Sequence, residues 1–122
     1  MKPTEEQIKK FWEWCGFKYD HWGDDNFIIY PDDKVPRAVQ PLIDLNNLFK
    51  YAVPKVLKEH SIIETYSFGT SRGIYYSETC IWDGDDEQLK GKLISKSWLE
   101  GVDLEEIEAL TRFWAIYKVM EE

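Results

Sequence analysis

The chain is poor in the residues around which most catalytic and metal centres are built. Of 122 residues, two are cysteine and two are histidine. Cys15 and Cys80 cannot by themselves form a disulfide framework or a zinc site of four Cys/His ligands, so no metal is expected. Basic residues are also in deficit. Fifteen Lys and Arg stand against 23 Asp and Glu, a net charge of −8 and a pI near 4.8. Affinity for nucleic acid comes from neutralising phosphates with Lys and Arg, so direct nucleic-acid binding is not expected. No apolar run of about 18 residues exists, which excludes a transmembrane helix from the reading. Met1–Glu6 holds one lysine and no apolar h-region, so no signal peptide and a reducing, cytoplasmic location are expected.

What is present is a core. The chain is 43% apolar and 16% aromatic, enough for one domain over residues 1–122. Thr4 and Gln7 form a capping-box pair, and Ile8, Phe11, Trp12 and Cys15 follow as one helical stripe that Gly16 ends. Phe17–Tyr19 and Phe27–Tyr30 flank the turn-rich Trp22–Asn26, a predicted hairpin, and Pro31–Pro41 reads as a loop. Asp44 is the expected N-cap of a helix reaching His60, kinked or broken at Pro54. Ser61–Phe68 and Ile74–Trp82 predict a second hairpin around Gly69–Gly73. Gln88–Ser95 fits a short helix or an edge strand. Asp103, with Glu106 as its box partner, caps a last helix running to Met120. Its main stripe is Leu104, Ile107, Leu110, Trp114 and Tyr117, with Phe113, Ile116 and Met120 beside it. The order α-ββ-α-ββ-α, with strands supplied by hairpins, predicts an α+β layered domain with a mainly antiparallel sheet covered by three helices.

Three stretches, Phe11–Phe17, Pro41–Lys55 and Phe113–Met120, together thirty of the 122 positions, resemble segments of uncharacterised small phage and prophage proteins with an α-β-α sandwich domain. The resemblance implies a phage or prophage origin and helix–sheet–helix layering. It carries no catalytic residue. Asp85–Glu100 departs from that pattern as added length before the last helix.

The second hairpin holds the sharpest candidate site. If Gly69–Gly73 is a five-residue loop, Phe68 pairs with Ile74, Tyr66 with Tyr76, Glu64 with Glu78 and Ile62 with Cys80. Glu64 and Glu78 would then face each other within an apolar side. They would be placed to share a proton, hold a cation or grip a basic ligand beside Tyr66 and Tyr76. A register shifted by two, neutralisation by Arg112 or Lys118, or exposure of that end of the sheet are the plainer readings. A second candidate is an acidic surface for a partner, made of Asp24, Asp25, Asp32 and Asp33 with Asp83, Asp85, Asp86 and Glu87, and adjoined by Asp20. Asp and Glu from Glu100 to Glu108 are accounted for by a helix start.

Other constellations fail. Asp83-Gly84-Asp85-Asp86-Glu87 places Gly second and Ile94 twelfth, against EF-hand order. Gly69-Thr70-Ser71-Arg72-Gly73 lacks the Gly-Lys-Ser/Thr ending of a phosphate loop and reads as a hairpin tip. Cys15 and Cys80 read as inert thiols on apolar faces. His21 and His60 stand apart in loops or helix ends, and no serine has a strand–turn–helix elbow. The expected function is therefore a non-enzymatic, phage-type accessory protein without a cofactor, binding a protein partner. Its sharpest version inhibits a host nucleic-acid-handling or defence protein by imitating phosphate spacing. The alternatives are a small-ligand or cation-binding protein centred on Glu64 and Glu78, and a phage structural or assembly subunit.

Overall fold

A computed structural model describes residues 2–72, 74–83, 90–100 (by backbone) and 104–121. The chain divides into two compact units, Met1–Leu42 and Ile43–Glu122. The architecture is α+β with antiparallel strands, and the strands form two three-stranded sheets rather than one.

In the first unit, helix α1 (Glu5–Trp14) begins as its sequence dictates. The Thr4 hydroxyl accepts from the Gln7 amide and the Gln7 side chain accepts from the Thr4 amide. Gly16, at φ +104, ends it, with Gly16 N–H bonding the Glu13 carbonyl and Phe17 N–H bonding the Trp12 carbonyl. Strands β1 (Lys18–Trp22) and β2 (Asp25–Ile29) run through the stretch read as a long turn, because Gly23 (φ +61) lets two residues close the hairpin. A two-residue strand β3 (Pro36–Arg37) adds to β2 within the segment expected to be a loop. Phe11, Trp12, Phe17, Ile28 and Tyr30 are buried, and Trp12 Nε1–H donates to the Pro41 carbonyl at 3.1 Å.

The second unit opens with α2 (Leu45–Asn47), whose N-cap is Asp44, accepting from the Asn47 amide at 2.8 Å. Pro54 has no N–H for the carbonyl four residues back, and the chain answers by widening just ahead of it. Leu48–Ala52 is a π turn closed by a bond from Val53 N–H to the Leu48 carbonyl, followed by α3 (Val53–Val56). The expected break at proline is thus a local change of helical pitch.

Strands β4 (Ile62–Gly69), β5 (Ile74–Asp83) and β6 (Lys90–Glu100) make the second sheet in that order. The ambiguous segment at Gln88–Ser95 lies in the edge strand from Lys90 on, and residues 88–89 are outside the described ones. Helix α4 (Leu104–Met120) packs against all three strands and also against α2 and the π turn. Ten of its residues, from Ile107 to Val119, are buried, the mark of a helix inside a core. Leu104, expected in the stripe, is exposed, and Trp114 is half-buried. The expected cap Asp103 lies outside the described residues.

The side of the sheet under α4 is not the apolar one. It is lined by Ser77, Thr79 and Ile81, all buried, with Thr65 and Ser67 opposite. The hydroxyls satisfy one another across the strands: Thr65 to Thr79 at 2.9 Å and Ser67 to Ser77 at 2.8 Å. Arg112 comes down onto them from α4. Its Nε–H donates to Thr65 Oγ1 at 2.9 Å, and its guanidinium lies 4.4 Å from the Phe49 ring centre. Burial lowers the Arg112 pKa, and among the described residues no carboxylate is within ion-pair distance of it. The guanidinium is thus held by the Phe49 ring and the Thr65 hydroxyl, with the Glu108 charge acting from a distance.

Two stability experiments follow. Replacing Arg112 by Met, which keeps the stem and removes the desolvated charge, leaves unfolding free energy within about 1 kcal/mol of the parent or raises it. Arg112→Ala costs about 2 kcal/mol through lost packing; urea denaturation reads both. A Cβ built on Gly69 meets Tyr75 Cδ1 and Cε1 at 2.5 Å. Gly69→Ala accordingly destabilises by about 1–2 kcal/mol, and most of that loss disappears in a Tyr75→Ala background.

Candidate functional site

The exposed side of the β4–β6 sheet is where the chain's chemistry collects. The β4–β5 register pairs Ile62 with Trp82, Glu64 with Cys80, Tyr66 with Glu78 and Phe68 with Tyr76. The expected pairing of Glu64 with Glu78 and of Tyr66 with Tyr76 is therefore wrong by two residues. Its cause is Gly69, which stays in the strand and pairs with Tyr75 instead of opening the loop. With no Cβ at position 69, the Tyr75 ring lies across the backbone there, a cross-strand contact only glycine permits. Thr70 N–H then bonds the Ile74 carbonyl. Gly73, at the other end of the expected loop, lies outside the described residues.

A shift of two preserves sidedness. Glu64, Tyr66, Tyr76 and Glu78 still share one side, now with the two glutamates at diagonal positions, whose backbones stand about 7–8 Å apart at that spacing. The second correction concerns that side as a whole, expected to be core. It is the open one, with Tyr66 62% exposed, Phe68 39% and Ile62 39%, while the Ser/Thr side takes the helix. Arg112, considered as the neutralising partner of the two acids, sits under the opposite side on Thr65.

Each carboxylate accepts from an aromatic donor. Tyr76 O–H donates to Glu78 Oε2 at 2.5 Å, and Trp82 Nε1–H donates to Glu64 Oε1 at 3.0 Å. Tyr66, Phe68 and Tyr76 form a run of rings, with centroids 6.3 Å apart for Tyr66 and Phe68 and 5.2 Å for Phe68 and Tyr76. The hydrogen bond to Glu78, with burial and the Glu78 charge behind it, pushes the Tyr76 phenol up to about 12. Cys80 lies between the acids; burial first, then the Glu78 and Glu64 charges, raises its thiol pKa, the opposite of what a nucleophile needs. Along β6, Lys96 stands at the register position of Glu78 and Trp98 at that of Tyr76. Among the described residues no group of three or more His, Cys, Asp or Glu is placed to hold a metal ion.

The acidic surface residues are scattered and partly engaged. Asp24 and Asp25 are exposed at the tip of the first hairpin, beside Trp22, which is 83% exposed. Asp33 is ion-paired with Arg37, whose guanidinium lies 4.2 Å from the Tyr30 ring centre. Asp32 is exposed in the same turn. Asp83 meets His60, Nδ1 to Oδ1 at 2.6 Å, a pairing across 23 residues that sequence reading left undetected. Asp85, Asp86 and Glu87 lie outside the described residues. A cleft of about 390 Å³ in the first unit, beside Lys9, Tyr19, His21 and Asn26, has its phenol already committed: Tyr19 O–H donates to Gln40 at 2.6 Å and Lys9 lies over the ring.

Trp82, Phe68 and Cys80 belong to the site, and sequence reading did not include them in it. The signal for the open side was the Ser/Thr alternation at 65, 67, 77 and 79. Comparison with known proteins finds no matching family model, no matching curated protein and no matching solved structure.

The Tyr76–Glu78 bond has a readable pH signature. The folded phenol pKa stands above its ordinary value of 10, so its contribution to stability is whole below pH 10 and is lost as pH rises toward 12. Spectrophotometric phenolate titration should show, besides Tyr19, whose phenol burial also pushes up, a late-ionising tyrosine that is absent from Tyr76→Phe. Glu78→Gln should return that step toward 10.

Proposed function

We propose that the chain is a phage-type accessory protein that acts by binding a protein partner, without catalysis of its own, through the open side of the β4–β6 sheet. The observation that carries this reading is the coexistence of exposed aromatic rings and two carboxylates on one side of a sheet. A row of rings alone would suit stacked bases. Glu64 and Glu78, in a chain of net charge −8, repel phosphate and favour Lys or Arg. Aromatic faces attract the same cations through their quadrupoles, so rings and acids select one chemistry. Buried aromatic anchors ringed by polar groups carry most of the energy at protein interfaces.

The reading in which the acid clusters imitate nucleic-acid phosphates has weaker support. Asp33 and Asp83 already have basic partners, and the clusters belong to separate units. A cation shared between Glu64 and Glu78 loses its premise with the register, since the two no longer face each other.

The test is a calorimetric titration of the full chain with two synthetic peptides, an alternating Lys-Val sequence and an alternating Glu-Val one. The Lys peptide should bind and the Glu peptide should not. Glu64→Gln with Glu78→Gln keeps both acceptor oxygens for Trp82 and Tyr76, and should weaken binding about tenfold or more. Added salt should weaken it further. Equal binding of both peptides, or an unaffected double variant, overturns the proposal.

A further inference from the structure

Resting on that reading, we infer that the basic partner binds as an added β-strand along the outer edge of β4, an extended segment of alternating residues whose basic side chains stand beside Glu64.

The two edges of the second sheet are unlike. The β6 edge carries Lys90, Lys92 and Lys96 over eleven residues, the charge pattern with which natural sheets discourage edge-to-edge pairing. The β4 edge, Ile62-Ile63-Glu64-Thr65-Tyr66-Ser67-Phe68-Gly69, has no lysine, arginine or proline over its eight residues. Among the described residues β4 pairs with β5 alone. An edge of this length, rich in β-branched and aromatic residues and with Glu64 as its one charge, is a template for another strand that brings the opposite charge.

The ladder phase says which groups are on offer. Thr70 N–H bonds the Ile74 carbonyl, and in an antiparallel ladder the bonded positions alternate. Even-numbered residues of β4 therefore spend their amides and carbonyls on β5. The hydroxyl pairs Thr65–Thr79 and Ser67–Ser77 fall at the intervening, closely spaced positions. The backbone groups of Ile63, Thr65 and Ser67 consequently aim outward. An added strand bonding to them extends the open side by one row, next to Ile62, Glu64, Tyr66 and Phe68. The residue beside Glu64 meets a carboxylate with one oxygen held by Trp82, and those beside Tyr66 and Phe68 meet rings. A Lys or Arg next to Glu64, with aliphatic or aromatic residues two positions along, matches that row. A second copy of this chain matches it poorly, since each copy brings a charge of −8.

Amide hydrogen exchange of the full chain, with and without the Lys-Val peptide, decides the matter. Binding by strand addition slows exchange at Ile63, Thr65 and Ser67 by roughly tenfold or more, and leaves Glu64 and Tyr66, already bonded to β5, nearly unchanged. Two N-methylated forms of the peptide, each blocked on one alternate set of amides, should differ: one loses binding and the other keeps it. Glu64-dependent binding without protection at those three amides, or with both methylated forms equal, overturns strand addition while the proposed partner surface stands. Absence of peptide binding overturns that surface itself. Protection that appears without peptide and grows with protein concentration assigns the edge to a second copy and overturns the basic partner.

Discussion

The contact of Gly69 with the Tyr75 ring decides which residues of β4 and β5 stand opposite one another. A side chain at position 69 would collide with that ring, so glycine keeps the strand running one residue further than its β-breaking reputation suggests. From that pair the rest of β4–β5 is counted off in twos. Hydroxyls then meet hydroxyls beneath α4, and rings meet acids on the other side. Helix α4 in turn covers a side of small polar groups that are silent only because each has its partner across the ladder.

This division reverses the habit of reading the more apolar alternation as core. Ile62, Tyr66, Phe68, Tyr76 and Trp82 form the greasier set, yet they are the ones facing out. Small residues have the advantage under a helix. Ser77 and Thr79 let α4 approach closely, and they remain inexpensive to bury while their oxygens bond to Ser67 and Thr65 across the ladder. The guanidinium of Arg112 enters the same layer, and the Phe49 ring lies over it.

Local signals were the legible part of the sequence. The Thr4–Gln7 box, the Gly16 stop, the Asp44 cap, the proline disturbance near residue 54 and both hairpins are short-range effects that a few neighbouring residues determine. What escaped were quantities set across the chain. The strand register needed Tyr75 to be seen over Gly69, and the His60–Asp83 pairing needed the end of α3 and the end of β5 brought together. Sidedness of the candidate residues survived the register error because strands repeat every second residue; their opposition did not. The ambiguous run at Gln88–Ser95 fitted two readings, and from Lys90 on it belongs to a third strand, settled by pairing with β5 that no local pattern encodes.

The π turn at Leu48–Ala52 has a consequence for how this segment tolerates changes in length. Such a turn is an α-helix carrying one surplus residue. Removing one of those five would restore ordinary pitch locally and leave everything upstream, Asp44 included, facing nearly as before relative to Val53 and Val56, because the wide turn takes up the surplus residue within itself. The wide turn thus acts as a phase keeper. Loss of its surplus residue registers as a change of pitch, and the flanks on either side go on showing the same residues.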